Sequence, residues 1–327
     1  MSSAAETDTA LSSSPRRRAS SAAAGDHLFR LLAAGAAFLV LIVLAMVALS
    51  MLYDGMPAFR KFGWHFFVGT EWDPVTEQFA ALVPIYGTLV TSLIAMLIAV
   101  PVSFGIAVFL TEIAPTWMRG PVAIAIELLA GIPSIIYGMW GLFVFVPFMS
   151  NWVDPWIDAN LGAIPGIGAL FSGPPLGVGM LTAGIVLAIM VIPFVSSVMR
   201  DVFSLVPPPL RESGFALGAT RWEVVRNVVL PYTRTAVVGG IFLGLGRALG
   251  ETMAVTFVLG NAFEFSTSLL APGNSIAAAI ANEFTEAETD MYRSALIALG
   301  LLLFVVTFIV LSLAKLMLLR MAREKGT

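Results

Sequence analysis

Cysteine is absent from the 327 residues, which excludes disulfides and any thiolate metal site. The only histidines, His27 and His65, stand far apart in the chain, so no metal centre is expected. No G-x-x-x-x-G-K-[ST] run occurs, so the chain does not hold ATP in that way. Charge is scarce as well. Charged residues make up 12% against 58% hydrophobic ones, and the mean hydropathy is +0.90. A soluble domain of this size could not cover so much apolar surface, so the class is an all-α polytopic membrane protein. The net charge of −3 decides little, because the position of charge governs topology more than its sum.

What is present is organised around apolar runs. Residues 1–27 are Ser/Ala-rich with Arg16, Arg17 and Arg18 clustered; such a composition cannot build a core and is expected to be a disordered tail. The arginines suggest an export signal, but the following run, Leu28 to Tyr53, is too long and lacks a small-residue cleavage site. It is therefore the first of six expected spans, at 28–53, 84–110, 121–149, 176–199, 233–261 and 294–319. Each supplies roughly the 20 apolar residues a crossing requires. Together they give a permease domain over 28–320 and a short tail over 321–327. Pro101, Pro133 and Pro193 fall inside spans, where neighbouring helices repair the lost backbone bonds.

Basic residues fix the expected orientation. Arg16, Arg17, Arg18, Arg30, Arg119, Arg200, Arg211, Arg221, Arg226, Lys315, Arg320, Arg323 and Lys325 all fall on one side of a six-span chain. The opposite connections are poor in base, and only Arg60 and Lys61 depart from the pattern. The positive-inside rule then places both termini in the cytoplasm.

The cytoplasmic loop 205–231 carries structure of its own. After Pro207-Pro208-Pro209, Leu210 to Leu217 suits a short helix, and Gly218 permits a sharp turn. Thr220 and Glu223 form a capping box for a second helix, Arg221 to Leu230, expected to end at Pro231. Spacing alone is equally consistent with a plain surface helix whose arginines touch anionic lipid.

The run GLGRALGETMAVTFVLGN, Gly244 to Asn261, sets Arg247 and Glu251 four residues apart inside the fifth span. Its opening glycines are no dinucleotide fingerprint, because no strand precedes them. An ionisable residue at the bilayer centre costs about 2.5–3.5 kcal/mol on insertion scales. On one continuous helix, Gly240, Gly244, Arg247 and Glu251 would fall within about 60° of one another at about 100° per residue. Gly240-x-x-x-Gly244 is a small-residue face that admits a close helix. Two readings stand: an internal ion pair that fixes packing, or an anion site in which the Arg fork binds phosphate or carboxylate oxygens. In the second, Glu251 neutralises Arg247 in the empty path or bonds to a protonated oxyanion.

Glu212, Gly218 and Val228-x-Leu230-Pro231 resemble the EAA coupling motif of ATP-binding-cassette import permeases, with Ser213 and Gly214 in place of its alanines and Val228 in place of its isoleucine. GRALGETMAVTFVLGN, ELLAGIPSIIYG (Glu127 to Gly138) and PIYGTLVTSLIAMLIAVPVSFGIAVFLTEIAP (Pro84 to Pro115) are similar to the phosphate-specific (Pst) permeases, in particular the PstC subfamily, over nearly all of 28–320. The resemblance implies a six-span, type I importer permease fold and inward phosphate transport by alternating access. It implies a related PstA-like permease subunit, two PstB-like ATPase subunits that bind the ATP and Mg, and an extracytoplasmic PstS-like phosphate-binding protein. This chain itself would hold no cofactor and catalyse nothing. Arg247 and Glu251 become candidate pathway residues. Glu212, Gly218, Leu230 and Pro231 become candidate ATPase-coupling residues, in a knob that docks the ATPase. Another oxyanion, or proton-coupled secondary transport through Glu251, remains an alternative.

Four further features each admit two readings. Glu127 is either a pathway residue or a paired interfacial acid. Gly131-Ile132-Pro133-Ser134 is either a simple kink or a break whose Ser134 hydroxyl meets an anion. Arg293 is a headgroup anchor or an anion guide. Asp54, Glu71 and Asp73 with Trp64 and Trp72 form either an interfacial belt or a docking surface for a binding protein.

Overall fold

The computed structural model describes the backbone of residues 16–323 and the side chains of residues 25–320. The first of the two compact units ends at Ser50 and the second begins at Met51. The described part of the first unit belongs to helix α1 (Arg16–Phe62). Its side chains from Gly25 onward are nearly all exposed, as an apolar helix made for lipid requires. The helix begins twelve residues before the expected start of the first span, so the backbone of 16–27 is helical. The Ala-rich stretch Ala22-Ala23-Ala24 explains this, since Ala carries the best helix propensity. The rest of the expected tail, 1–15, lies outside the described residues, as does 324–327.

In the second unit α1 ends at Phe62, and the short helix α2 (His65–Val68) follows. A two-stranded antiparallel hairpin, β1 (Trp72–Asp73) with β2 (Gln78–Phe79), pairs Trp72 with Phe79 and Asp73 with Gln78. Then come α3 (Leu82–Ile113), α4 (Thr116–Ala130), α5 (Ser134–Leu161) and α6 (Met180–Ser204). These are followed by α7 (Pro208–Ala216), α8 (Arg221–Leu249), α9 (Met253–Val258), α10 (Ile276–Glu283) and α11 (Asp290–Arg323). Six of these helices, α1, α3, α5, α6, α8 and α11, are long and apolar enough to cross a membrane.

The core is the packing of α3 on α6, with α8 laid against both. Ala95 and Ala99 of α3 and Leu187, Val191 and Val195 of α6 are fully buried. Small residues set the distance. A Cβ on Gly184 would sit 2.5 Å from Ile94 Cγ2, and one on Gly244 would sit 2.5 Å from Val195. At the Pro193 turn of α6, the Ser103 hydroxyl donates to the Ile192 carbonyl (3.1 Å), an inter-helix bond of the kind that holds kinked spans. A second cluster joins the end of α1, the hairpin and the start of α11, where Trp72 stacks on Phe263 at 4.9 Å.

Three expected boundaries differ. The third span is not one helix over 121–149. α4 stops at Ala130, and the crossing helix starts at Ser134, because Pro133 has no N–H and disfavours helix at Ile132. The second helix of the cytoplasmic loop does not end at Pro231. It runs on into the membrane as α8, with a π-helical turn at Val225–Val229 just before Leu230-Pro231. The wide turn absorbs the bond that the proline cannot donate. The fifth span does not continue to residue 261, since α8 ends at Leu249 and α9 begins at Met253.

Candidate functional site

The two interruptions in the apolar helices precede helices that pack on one another. One is Gly131–Pro133, before α5, and the other is Gly250–Thr252, before α9. α5 and α9 pack tightly enough that a Cβ on Gly138 would lie 2.7 Å from the Phe257 ring and 3.1 Å from the Ala254 Cα. Tyr137 ties its break together by donating its hydroxyl to the Leu129 carbonyl across the gap (2.9 Å). Ser134 opens α5 and is partly exposed. Helix interruptions at membrane depth free backbone groups that neighbouring protein groups, water or a ligand must satisfy.

Arg247 and Glu251 both border this region, but they do not share a helix face. Arg247 sits in the last turn of α8. Glu251 lies beyond the end, where its N–H makes a tightened bond to the Ala248 carbonyl (3.3 Å). The Glu251 carboxylate turns forward and accepts from the Ala254 N–H (3.3 Å), capping α9. No ion pair joins the two among the described residues, which corrects the expectation of an i, i+4 pair on one stripe. The reason is local: Gly250 ends the helix, and an acid one residue later does better as a cap than as a partner. The glycine half of the stripe stands. Gly240 and Gly244 are buried against Val198 and Val195 of α6. Arg247 projects past them over the Phe194 ring at 5.9 Å, exposed and within electrostatic reach of Tyr137.

The cytoplasmic loop folds as a knob. Thr220 Oγ1 accepts from the Glu223 N–H (3.4 Å), and Glu223 returns a bond to the Thr220 N–H (2.7 Å), so the capping box is complete. Gly218 turns the chain with φ +83°. Gly214 lets α7 lie close to α8, since a Cβ there would already be 3.1 Å from Val224. Glu212 and Gly218 are exposed on the knob, beside the exposed Phe215, Leu217 and Trp222. Leu230 and Pro231 are elsewhere. They sit within α8 at the root of the knob, Leu230 half-buried against the core and Pro231 exposed.

A contact without a sequence expectation holds the knob down. Arg211 of α7 pairs with Glu112 at the end of α3 (3.3 Å), whose side chain is 8% exposed. Arg221 donates to the Glu112 carbonyl (3.3 Å), and Arg211 also donates to the Phe203 carbonyl. The only signal in the sequence was a lone acid closing the apolar run of the second span. Glu127 is ion-paired to Arg200 (2.9 Å), in keeping with the paired-acid alternative. Trp72 is half-buried rather than displayed as a belt residue, stacked on Phe263 and edge-on to Phe79. Asp73 serves its own hairpin by accepting from the Val75 N–H and the Thr76 hydroxyl, which holds its carboxyl below the usual range. Two more residues were not anticipated. One is Tyr137. The other is Asp154, which is 2% exposed and accepts from the Gly177 N–H (2.9 Å) to clamp the link between α5 and α6.

Residues 37–323 match the family model described as "Binding-protein-dependent transport system inner membrane component". A protein named phosphate transport system permease protein PstC from Xylella fastidiosa (strain 9a5c) is 62% identical over 315 residues, covering 96% of this chain and 97% of its own length. One of the same name from Mesorhizobium japonicum is 52% identical over 326 residues, covering 100% of both. Among solved structures, a bacterial ABC transporter involved in import of the acidic polysaccharide alginate aligns with TM-score 0.59 at 19% identity, over 90% of this chain and 98% of that one. The MetNI methionine ABC transporter aligns with TM-score 0.55 at 15% identity, over 77% and 99%. At these identities the structural likeness speaks for the fold alone, a type I importer permease fold.

Proposed function

This chain belongs to the family of binding-protein-dependent transport system inner membrane components, and from that membership we propose how it moves phosphate. It is a multi-pass membrane protein, the permease subunit of an ABC phosphate importer. It is a transport component and not an enzyme. A separate ATPase and a substrate-binding protein complete the importer.

In our reading the partner set is a PstA-like permease, two PstB-like ATPases that carry ATP and Mg, and an extracytoplasmic PstS-like phosphate-binding protein. Both termini and the α7–α8 knob face the cytoplasm. Glu212 and Gly218 meet the ATPase, and closure of the ATPases swings the knob. α8 is continuous from the knob at Arg221 to Arg247, so the movement is delivered directly to the path. This chain and the related permease then rock around a midplane site.

The observation that supports the path is the packing of the two helices that follow the interruptions, with Arg247 exposed beside them. A guanidinium fork gives a passing phosphate two parallel charge-assisted bonds. The Ser134 hydroxyl and the freed backbone groups before α5 add neutral donors. The Glu251 carboxylate repels a fully ionised anion but accepts from one that still carries a proton, so hydrogen phosphate passes and sulfate does not.

The test is ATP-dependent phosphate uptake into vesicles holding the assembled complex. Arg247→Gln and Gly218→Pro are expected to lose uptake while the complex still assembles. Normal uptake by both variants, or uptake that survives removal of the ATPase and follows the proton gradient, sinks the reading.

A further inference from the structure

Arg60 and Lys61 are the two cations that break the positive-inside pattern, and the structure treats them differently. Lys61 is accounted for by Glu77 (3.2 Å) and by the Phe62 ring (5.2 Å). Arg60 makes no ion pair or hydrogen bond among the described residues. Instead it lines an open cavity of about 730 Å³ between the end of α1 and the start of α11. Arg293 lines the same cavity from α11. Two of its nitrogens are spent on the Ala287 and Glu288 carbonyls (2.9 and 3.2 Å). Its Nη1 stands 3.8 Å from Asp290, a distance too long for a hydrogen bond. Both guanidinium groups thus keep donors for an anion.

The position selects the anion. The apolar run of α1 ends at Tyr53, which lies on the rim of the cavity, and Arg60 is seven residues further on, about 10 Å along the helix. That interval matches a phospholipid headgroup layer and not the hydrocarbon core. Met56 and Ile297 give the cavity an apolar wall, and Asp54 and Asp290 give it two carboxylates beside the two cations. No residue of the α5–α9 region contributes. The cavity lies at the end of α11 opposite the knob, since α8 crosses from the knob and the chain does not cross again before α11.

We propose that this cavity binds the headgroup of an amine-bearing phospholipid, a phosphatidylethanolamine, in the leaflet opposite the coupling knob. Its phosphodiester lies between Arg60 and Arg293 in charge-assisted bonds. Its ammonium meets Asp290, and its glycerol end lies on Met56 and Ile297. The lipid covers Arg60, a cation that a purely electrostatic rule would place on the other side. Inorganic phosphate offers the same tetrahedral oxygens but no amine and no acyl chain.

The experiment is native mass spectrometry of the assembled importer, delipidated and then reloaded from vesicles of phosphatidylethanolamine or of phosphatidylglycerol. Wild type is expected to retain phosphatidylethanolamine through the detergent wash. Arg60→Gln, and separately Ile297→Trp, which fills the apolar wall with both cations intact, are expected to retain about tenfold less. Lys61→Gln is expected to match wild type. Equal retention in every variant overturns the site. Displacement by millimolar inorganic phosphate shows that free phosphate is the occupant and overturns the lipid assignment. Equal retention of phosphatidylglycerol overturns the amine contact. None of these outcomes depends on uptake through Arg247, so the site and the pathway fail or stand separately.

Discussion

At the scale of single residues, Arg247 and Glu251 look alike on paper and are used differently. Arg247 is exposed beside two chain interruptions; Glu251 is engaged with the N–H of Ala254. Arg247→Lys keeps a charge but loses the fork, so uptake is expected to fall less than with Arg247→Gln. Loss of a hydrogen bond to a charged group is worth about 1.5–3 kcal/mol, so Arg247→Gln should cut kcat/KM for uptake by roughly ten- to a hundredfold. Glu251→Gln keeps an acceptor for the α9 cap, whereas Glu251→Ala removes it. If both lower uptake equally, the charge of Glu251 belongs to the path. If only Glu251→Ala does, its part is the cap, and the hydrogen-phosphate preference is lost with the charge role.

At the scale of elements, the knob is a bent lever with three fastenings: the Gly218 turn, the capping box and the Glu112 pair. Gly218 has no neighbour within 4 Å of a Cβ, so its constraint is the backbone alone at φ +83°. A left-handed conformation costs an ordinary L-residue about 1–2 kcal/mol. Gly218→Val should therefore lower the melting temperature of the knob, and Gly218→Asn, which tolerates that region, should lower it less. Glu112→Gln strands the Arg211 charge at a partly buried site, at a cost of about 1–3 kcal/mol. Limited proteolysis between residues 205 and 220 should then accelerate, and transport per ATP hydrolysed should fall while ATP hydrolysis persists. An unchanged cleavage rate would remove the Glu112 fastening from the account.

At the scale of the whole molecule, the hairpin and the end of α1 are joined by Lys61 and Glu77. Glu77 is held below its ordinary value of 4.5, first by the Lys61 bond and next by Thr289, and Asp73 is held below 3.8 by Thr76 and Val75. A carboxyl depressed in the folded state stabilises it above the unfolded value and loses that contribution as pH falls through the folded one. The hairpin should therefore hold unchanged from neutral pH down to about 5 and loosen below about 4. Hydrogen exchange of the 72–79 amides across that range checks it, and loosening on the alkaline side would contradict it. The effect is small, since the pair is exposed. The larger whole-chain constraint is helix approach: Gly244→Val would press on Val195 and should destabilise the α6–α8 contact by about 1–3 kcal/mol, read as a lower melting temperature.

Much of this was legible from order along the chain. Composition determines that the protein lives in a bilayer, apolar length determines six crossings, and Thr220–Glu223 and Gly218 spell out the knob, because each depends only on neighbours a few residues away. What the chain order could not decide is where helices stop. Pro133 breaks a helix and Pro231 does not, and the difference is a π-helical turn sustained by packing around Val225 and Val229. Nor could it pair Glu112 with Arg211 or bring the helices that follow the breaks at 131–133 and 250–252 together, for those contacts join residues about a hundred positions apart. Arg247 and Glu251 carry the lesson in small form. Their spacing suggests a partnership, and the end of α8 at Leu249 dissolves it. The reason is that a charge in an apolar medium goes to the strongest bond within reach, and only the folded chain determines what is within reach.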